Sequence, residues 1–332
     1  MSLDTTTTVF AAFAFIGFVL ALVPFYWHYK AANTGTCLYM FWASLGCLNA
    51  FINAVVWNGN WTDHAPVWCD ISTRIIVAEN SAIPASTLCI TRRLYHIATN
   101  TVGSKRREAI INFSVGLGLP IFNVALTYIV QGNRYYIYED LGCWPAIITT
   151  QPTYPLFYAW PIALGLVSAG YGVATMYTFI RHRRDIHNVG SDTAMESFRL
   201  NKSLYTRLMI LCCVDVTLTL PIASYIIYAS TRNAYQPWVS WGFLHADFTH
   251  IYTLTASFWR TPQVWAVVEV SRWSNTLNAF VFFALFGLAQ EAHLHYSLVY
   301  KYAKRLGSSW REGSSLHLSR YALLLILAGN CH

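Results

Sequence analysis

The stretch WCDISTRIIVAENSAIPA, Trp68 to Ala85, decides how the whole chain is read. It reads as helix, carries Arg74 and Glu79, and runs straight into the apolar ASTLCI, so it is either a soluble core helix or a membrane span. Composition separates the two. Of 332 residues, 55% are hydrophobic and 11% charged, less than half the roughly 25% charged share of a soluble domain. The solvent is lipid. No Pro/Gly/Ser-rich linker divides unlike halves, so one polytopic domain is expected over residues 1–290, with 291–332 as a short cytoplasmic tail.

Runs close to the ~20 residues that a hydrocarbon core of ~30 Å requires are Val9–Tyr29, Cys37–Trp57, Cys69–Ile97, Ile110–Val130, Tyr154–Ile180, Thr206–Tyr228 and Pro262–Gly287. These predict an all-α membrane protein of seven spans. Ala229–Thr261 is too polar and aromatic to count. The first span follows only Asp4 as a charge and is longer than a signal-peptide core, so it is expected to be retained. The opening stretch becomes the third span: Cys69 to Arg92 covers about 35 Å as helix, which matches the bilayer. Arg74 is shallow enough to snorkel, whereas Glu79 lies ~15 Å below Cys69 and must face protein or water.

Lys and Arg concentrate in alternate loops: Lys30; Arg92, Arg93, Lys105, Arg106 and Arg107; Arg181, Arg183, Arg184, Arg199, Lys202 and Arg207; and the tail from Lys301 to Arg320. The other side and the spans share Arg74, Arg134, Arg232, Arg260 and Arg272. This bias predicts an outside N-terminus and a cytosolic C-terminus in a multi-pass plasma-membrane protein. It also explains the net charge of +7 without a nucleic-acid partner. Of eight cysteines, only Cys69 and Cys143 fall at or beyond the outer ends of the spans, so they are expected to pair. No CxxC exists, and no cofactor or metal is expected. The sequon at Asn60 lies on the outer side and is a candidate glycosylation site; Asn201 faces the cytosol.

Seven spans, an outside N-terminus, a third helix tied to the second outer loop and a basic third inner loop describe a G-protein-coupled receptor bundle. The sequence further resembles the fungal mating-pheromone receptors that detect lipidated, a-factor-like peptides. The resemblance runs from about Tyr26 to Tyr296 and is carried by NTGT at Asn33, INAVVW at Ile52, WCDI at Trp68, IPASTLCITRRLYHIA at Ile83, DLGCWP at Asp140, RLMI at Arg207 and EVSRW…FVFFALFG from Glu269. It implies a receptor for a prenylated peptide pheromone that activates a heterotrimeric G protein, with no enzyme activity. Members of that family usually continue into a long polar tail, whereas the sequence given stops at His332, an ending expected to be a truncated or mispredicted terminus.

Other classes fit less well. The prolines Pro84, Pro120, Pro161 and Pro221 suit the broken helices of a transporter, but no half of the chain repeats. A retinal protein needs a lysine within a span, and every lysine is at a membrane edge or beyond. A metalloenzyme needs clustered ligands, and His245, Asp247, His250, His293 and His295 form neither HxxxH nor HExxH.

Aromatic residues crowd the outer side. An interfacial belt accounts for many of them, but YYIYEDLGCW is denser than a belt requires. Tyr136, Tyr138, Glu139, Asp140, Trp144, Trp238 and Trp241 are therefore the candidate ligand contacts, an apolar mouth suited to a prenyl group with an acidic pair for a basic peptide residue. Arg92, Arg93, Arg183, Arg184, Arg199 and Arg207 are the candidate G-protein contacts, with Pro221 as a hinge in the sixth span. Depth counting puts Glu79, Asp215 and Arg272 near the midplane. Arg272 is expected either to pair locally with Glu269 at i, i+3 or to bridge to Glu79 or Asp215.

Overall fold

The computed structural model describes residues 4–101, 103–189 and 192–288; for 182–189, 192–205, 233 and 263 it describes the backbone alone. Helix α1 (Thr5–Leu22) starts at Asp4, whose carboxylate accepts the Thr7 N–H at 3.0 Å. Pro24, which has no N–H to continue the ladder, separates it from α2 (Phe25–Lys30). The first expected span is thus two helices with a joint. Then come α3 (Thr34–Val56) and α4 (Pro66–Ala98); Pro66 sits in the first turn of α4, where a missing N–H costs nothing, and Pro84 lies inside the helix.

The fourth run is α5 (Lys105–Phe113), a π-helical turn Ser114–Gly118, α6 (Leu119–Thr127) and a short 3₁₀ turn to Val130. The π turn has a local cause. Pro120 cannot donate to the carbonyl of Gly116, and the indole of Trp42 on α3 donates to that oxygen instead, at 2.8 Å. The same device recurs before α7 (Ala159–Val189), where Tyr154–Tyr158 is π-helical. Pro161 frees the carbonyl of Phe157, which accepts from Asn80 on α4 at 3.3 Å. Prolines loosen these helices, and polar side chains of neighbouring helices repair them.

Helix α8 (Asp192–Ala234) carries Pro221, and the short α9 (Trp241–Leu244) and α10 (Ala256–Trp259) lead to α11 (Pro262–Phe286). Helices α7 and α8 run well past the expected span limits, so the backbone foreseen as an inner loop between Arg181 and Tyr205 is largely helical. Helix α4 is the axis of the bundle, packed on α3, α6, α7 and α8, while α1 joins α3 to α11 and α11 returns to α8.

Five stretches are long and apolar enough to cross a membrane by length and composition: Thr5–Lys30, Thr34–Val56, Lys105–Val130, Tyr154–Arg181 and Thr206–Arg232. The expected third and seventh spans are missing from that set, although α4 has 33 residues and α11 has 25. The reason is burial. Helices wrapped by other helices can carry polar side chains that a lipid-facing helix cannot, and α4 holds Ser72, Thr73, Ser81, Ser86, Thr87 and Thr91 fully buried.

A small sheet closes one end of the bundle. Strand β1 (Tyr136–Tyr138) pairs antiparallel with β2 (Gly142–Trp144) and parallel with β3 (Tyr252–Leu254). The turn needs left-handed backbone at Asp140 (φ 69°) and Gly142 (φ 79°). Gly142 is also short of space, since a Cβ there would lie 2.8 Å from that of Asn53. Cys143 of β2 bonds to Cys69 at the start of α4, with Cα atoms 5.1 Å apart, within the usual disulfide range. The expected pairing is present, and it fastens the hairpin over the bundle axis.

Candidate functional site

Beneath the hairpin lies a cavity of ≈ 430 Å³. Its roof is the hairpin and the segment after it, with Asp140, Leu141, Trp144, Pro145 and Ile147. Helices α3, α4 and α11 bring the polar residues Asn49, Asn53, Glu79, Asn80, Arg272 and Asn275, set among apolar ones such as Ala50, Ile76, Ile83 and Val267. The π turn, α7 and α8 bring a mostly apolar surface, Phe157, Tyr158, Pro161, Leu218, Ile222, Ala223 and Ile226, with Thr219 and Ser230 as its polar members. A site with amide-bearing helices and a mostly hydrocarbon surface fits an amphipathic ligand.

The roof is held by charge as well as by the disulfide. Arg260, just before α11, donates at 2.9 Å both to Asp140 in the hairpin and to Asp4 at the start of α1. The other oxygen of Asp140 accepts the Gly59 N–H at 2.9 Å. One guanidinium thus ties the N-terminus to two loops, and Asp140, only 3% exposed, is the buried member. Burial pushes its carboxyl above the ordinary value, while the Gly59 N–H and Arg260 pull it back. At Asp4 burial also acts upward, but hydrogen bonds from Thr6 and Thr7, with Arg260, outweigh it and hold the carboxyl at about 2. A second tie joins Arg134 to Asp70, its Nε donating at 2.8 Å. The sequence reading missed Asp4 and Arg260 because their pairing spans most of the chain; what it offered was three lone outer charges of opposite sign.

Of the expected ligand contacts, Asp140 and Trp144 line the cavity and the rest do not. Glu139 is engaged structurally: its carboxylate accepts the Ala256 N–H at 2.8 Å and its carbonyl the Trp259 indole N–H at 2.9 Å. Tyr136 and Tyr138 build an aromatic lid with Tyr252, Phe258 and Trp144. Burial, then the neighbouring Tyr136, raises the Tyr138 phenol. Trp241 stacks on His245 at 3.9 Å, and Trp238 is half-buried. Density of aromatic residues in the sequence located the lid; the cavity itself is lined from the helices, where the decisive residues are scattered asparagines.

The intramembrane charges resolve locally. Arg272 donates to Glu269 at 2.9 Å, the i, i+3 alternative, and its guanidinium lies 4.4 Å from the Phe10 ring centroid. Among the described residues no ion pair joins it to Glu79 or Asp215, so of the two alternatives the structure holds the local one. Distance arithmetic fixed depth but not the direction each side chain takes around its helix. Asp215 instead accepts from Thr219 at 3.4 Å. Glu79 lies flat against α3: a Cβ on Gly46 would sit 1.7 Å from its Oε1 and 2.2 Å from the Asn275 amide. Gly46 is therefore what admits the carboxylate, a role that nothing in its sequence context announced.

At the other end, Arg92 pairs with Glu108 at 2.5 Å and Arg93 donates to the Ala32 carbonyl at 2.6 Å, so both expected coupling residues also hold the bundle together. Arg207 is half-buried. The side chains of Arg183, Arg184 and Arg199, and the segment 291–332, lie outside the described residues. A smaller cavity of ≈ 240 Å³ opens at this end, lined by Asn33, Gly35, Arg93, Leu94 and Leu208. Asn60 accepts from the Thr62 N–H and hydroxyl at 3.0 and 2.8 Å, which places the sequon in a turn at the hairpin end.

A family model described as pheromone A receptor matches residues 9–307. The chain is 41% identical to the pheromone B alpha 3 receptor of Schizophyllum commune over 310 residues, 91% of this chain and 49% of that protein. It is 34% identical to pheromone receptor 1 of Mycosarcoma maydis over 291 residues, 86% of this chain and 81% of that protein. To the pheromone a factor receptor of Saccharomyces cerevisiae it is 22% identical over 291 residues, 84% of this chain and 58% of that protein. The chain spans about half the length of the Schizophyllum alpha receptors it matches. With the match running from the first helix past the last, and the roofed, disulfide-pinned bundle in between, this chain belongs to the pheromone A receptor family.

Proposed function

We propose that the protein is a seven-span receptor of the plasma membrane, with the hairpin end outside, that binds a prenylated peptide pheromone in the roofed cavity and activates a heterotrimeric G protein at the opposite end. The observation that carries this reading is the divided cavity. Its asparagine-rich wall offers partners for peptide amides, and its α7–α8 wall offers hydrocarbon, where each buried CH₂ contributes about 0.8 kcal/mol. Helices α4 and α11 are long enough to complete seven crossings, about 50 and 37 Å at ~1.5 Å per residue, and their polar side chains face protein. Asp140 and Trp144 would meet the ligand directly, with Tyr136, Tyr138, Glu139, Trp238 and Trp241 framing the lid. Coupling is assigned to the opposite end, to the smaller cavity at Arg93 together with the basic residues Arg92, Arg183, Arg184, Arg199 and Arg207. Glu79, Asp215, Glu269 and Arg272 would tune the resting state, and Asn60 would carry a glycan.

The test is expression in a pheromone-blind yeast with a G-protein-driven reporter, challenged with matched prenylated and unprenylated synthetic peptides. A response that depends on the lipid is expected. A response indifferent to the lipid would overturn the ligand class, and concentrative uptake of a small solute without any reporter output would overturn the receptor reading.

A further inference from the structure

We infer that the cavity opens sideways, between α8 and α11, into the hydrocarbon core of the membrane, and that an aliphatic chain on the ligand enters and lodges through this window. The inference rests on the membrane-receptor reading above and adds a route and a location for the lipid.

The flanks of the window are sealed. Between α11 and α1, Trp273 packs on Phe10 and Phe13 at 5.0 and 5.8 Å, and Phe280 on Phe13 at 5.8 Å. Between α7 and α8, Gly165 admits Leu220 so closely that a Cβ there would lie 2.9 Å from it. Helices α8 and α11 are different. The buried apolar cluster they share uses Leu208, Leu211 and Cys212 with Ala279, Phe282 and Phe286, all from the halves remote from the hairpin. Toward the hairpin both helices line the cavity instead. Leu277 is the telling residue, for it lines the cavity and is 48% exposed. A side chain that belongs to both surfaces marks the place where they join.

Depth decides what can pass. Leu277 is about 14 Å from the Phe286 end of its helix, and Leu218 on the facing helix about 18 Å from Thr206, so the window lies near the bilayer midplane. Its outer neighbours, Tyr225 and Val270, are exposed and apolar. Hydrocarbon, not water, meets the opening, and a charged or peptidic group would cross that region at prohibitive cost. Beyond the window the first surface reached is the apolar α7–α8 wall with Phe157, Ile222 and Ile226. At the hairpin end the Cys69–Cys143 bond and Arg260 on Asp140 pin the roof over the cavity.

The test uses the full chain in liposomes and a diazirine-bearing S-farnesylcysteine methyl ester, with labelled residues mapped by mass spectrometry after illumination. Labels are expected on Leu218 and Leu277 and, inside, on Phe157 and Ile226, all suppressed by excess unlabelled farnesylcysteine methyl ester. Leu277→Trp, which fills the window, should slow labelling of Phe157 and Ile226 about tenfold while leaving labels on the lipid-facing surface of α1 unchanged. Arg260→Ala, which frees the roof, should leave the rate unchanged. Wild-type labels confined to lipid-facing residues, or interior labelling that Leu277→Trp does not slow, would overturn the window; acceleration by Arg260→Ala would assign entry to the roof. Because the readout needs no G protein, failure here is distinct from failure of the receptor reading.

Discussion

Replacing Arg260 with Gln tests whether one guanidinium holds the roof. The substitution removes both 2.9 Å ion pairs, to Asp4 and to Asp140, and leaves Asp140 with the Gly59 N–H as its remaining partner. Stripping one partner from a fully buried pair costs about 3–5 kcal/mol. Asp140 is buried, with a side chain 4% exposed, but Arg260 is 38% exposed, so water screens the pair and about 1–2 kcal/mol is the reasonable figure. For a chain of this size that corresponds to a melting temperature lower by roughly 1–3 °C, readable by intrinsic fluorescence in detergent. The sign with pH follows from Asp140, whose carboxyl is raised above its ordinary value. Without Arg260 it rises further, and protonation then favours the folded state, so the deficit of the variant should shrink as the pH falls from neutral. In an Asp140→Asn background no buried charge is left behind, and Arg260→Gln should cost only the weaker Asp4 pair. An Arg260→Gln deficit below about 0.5 kcal/mol, or one of equal size with and without Asp140→Asn, would refute the reasoning.

Cys143→Ser should destabilise by about 4 kcal/mol from loop-closure entropy alone, because the bridged residues are 74 apart; surface labelling and melting of the variant read it. Gly46→Ala should push the Glu79 carboxylate and the Asn275 amide into the cavity, cost about 1–3 kcal/mol and change basal reporter output, whereas Gly172→Ala, where a Cβ meets nothing within 4 Å, should do neither. Arg183→Ala with Arg184→Ala should lower reporter output at equal surface level while peptide binding is retained; N-terminal labelling checks that orientation has survived the loss of positive charge, and unchanged output would remove this segment from the coupling site.

The multi-pass lipid setting, the positions of most of the long helices and the Cys69–Cys143 link were legible in the sequence, because each follows from something local or countable. A low charge fraction, runs near bilayer length and a single pair of cysteines at one end do not depend on how helices are rotated. The opening stretch is the clearest case: its pattern predicted one long helix, and α4 holds its Ser72, Thr73 and Ser81 buried against protein. Rotation and long-range pairing were not legible. Whether Arg272 would reach Glu79 or stay with Glu269 depends on side-chain direction around α11, which depth along the axis cannot supply. That Trp42 would take the carbonyl freed by Pro120, that Gly46 would make room for Glu79, and that Arg260 would gather Asp4 and Asp140 all require contacts between segments far apart in sequence. The aromatic run YYIYEDLGCW fixed where the lid is, since density is a local property. The cavity beneath it is lined from eight elements, α1, α3, α4, β2, the π turn, α7, α8 and α11, and only their convergence in the tertiary structure sets its asparagines beside the apolar surface of α7 and α8.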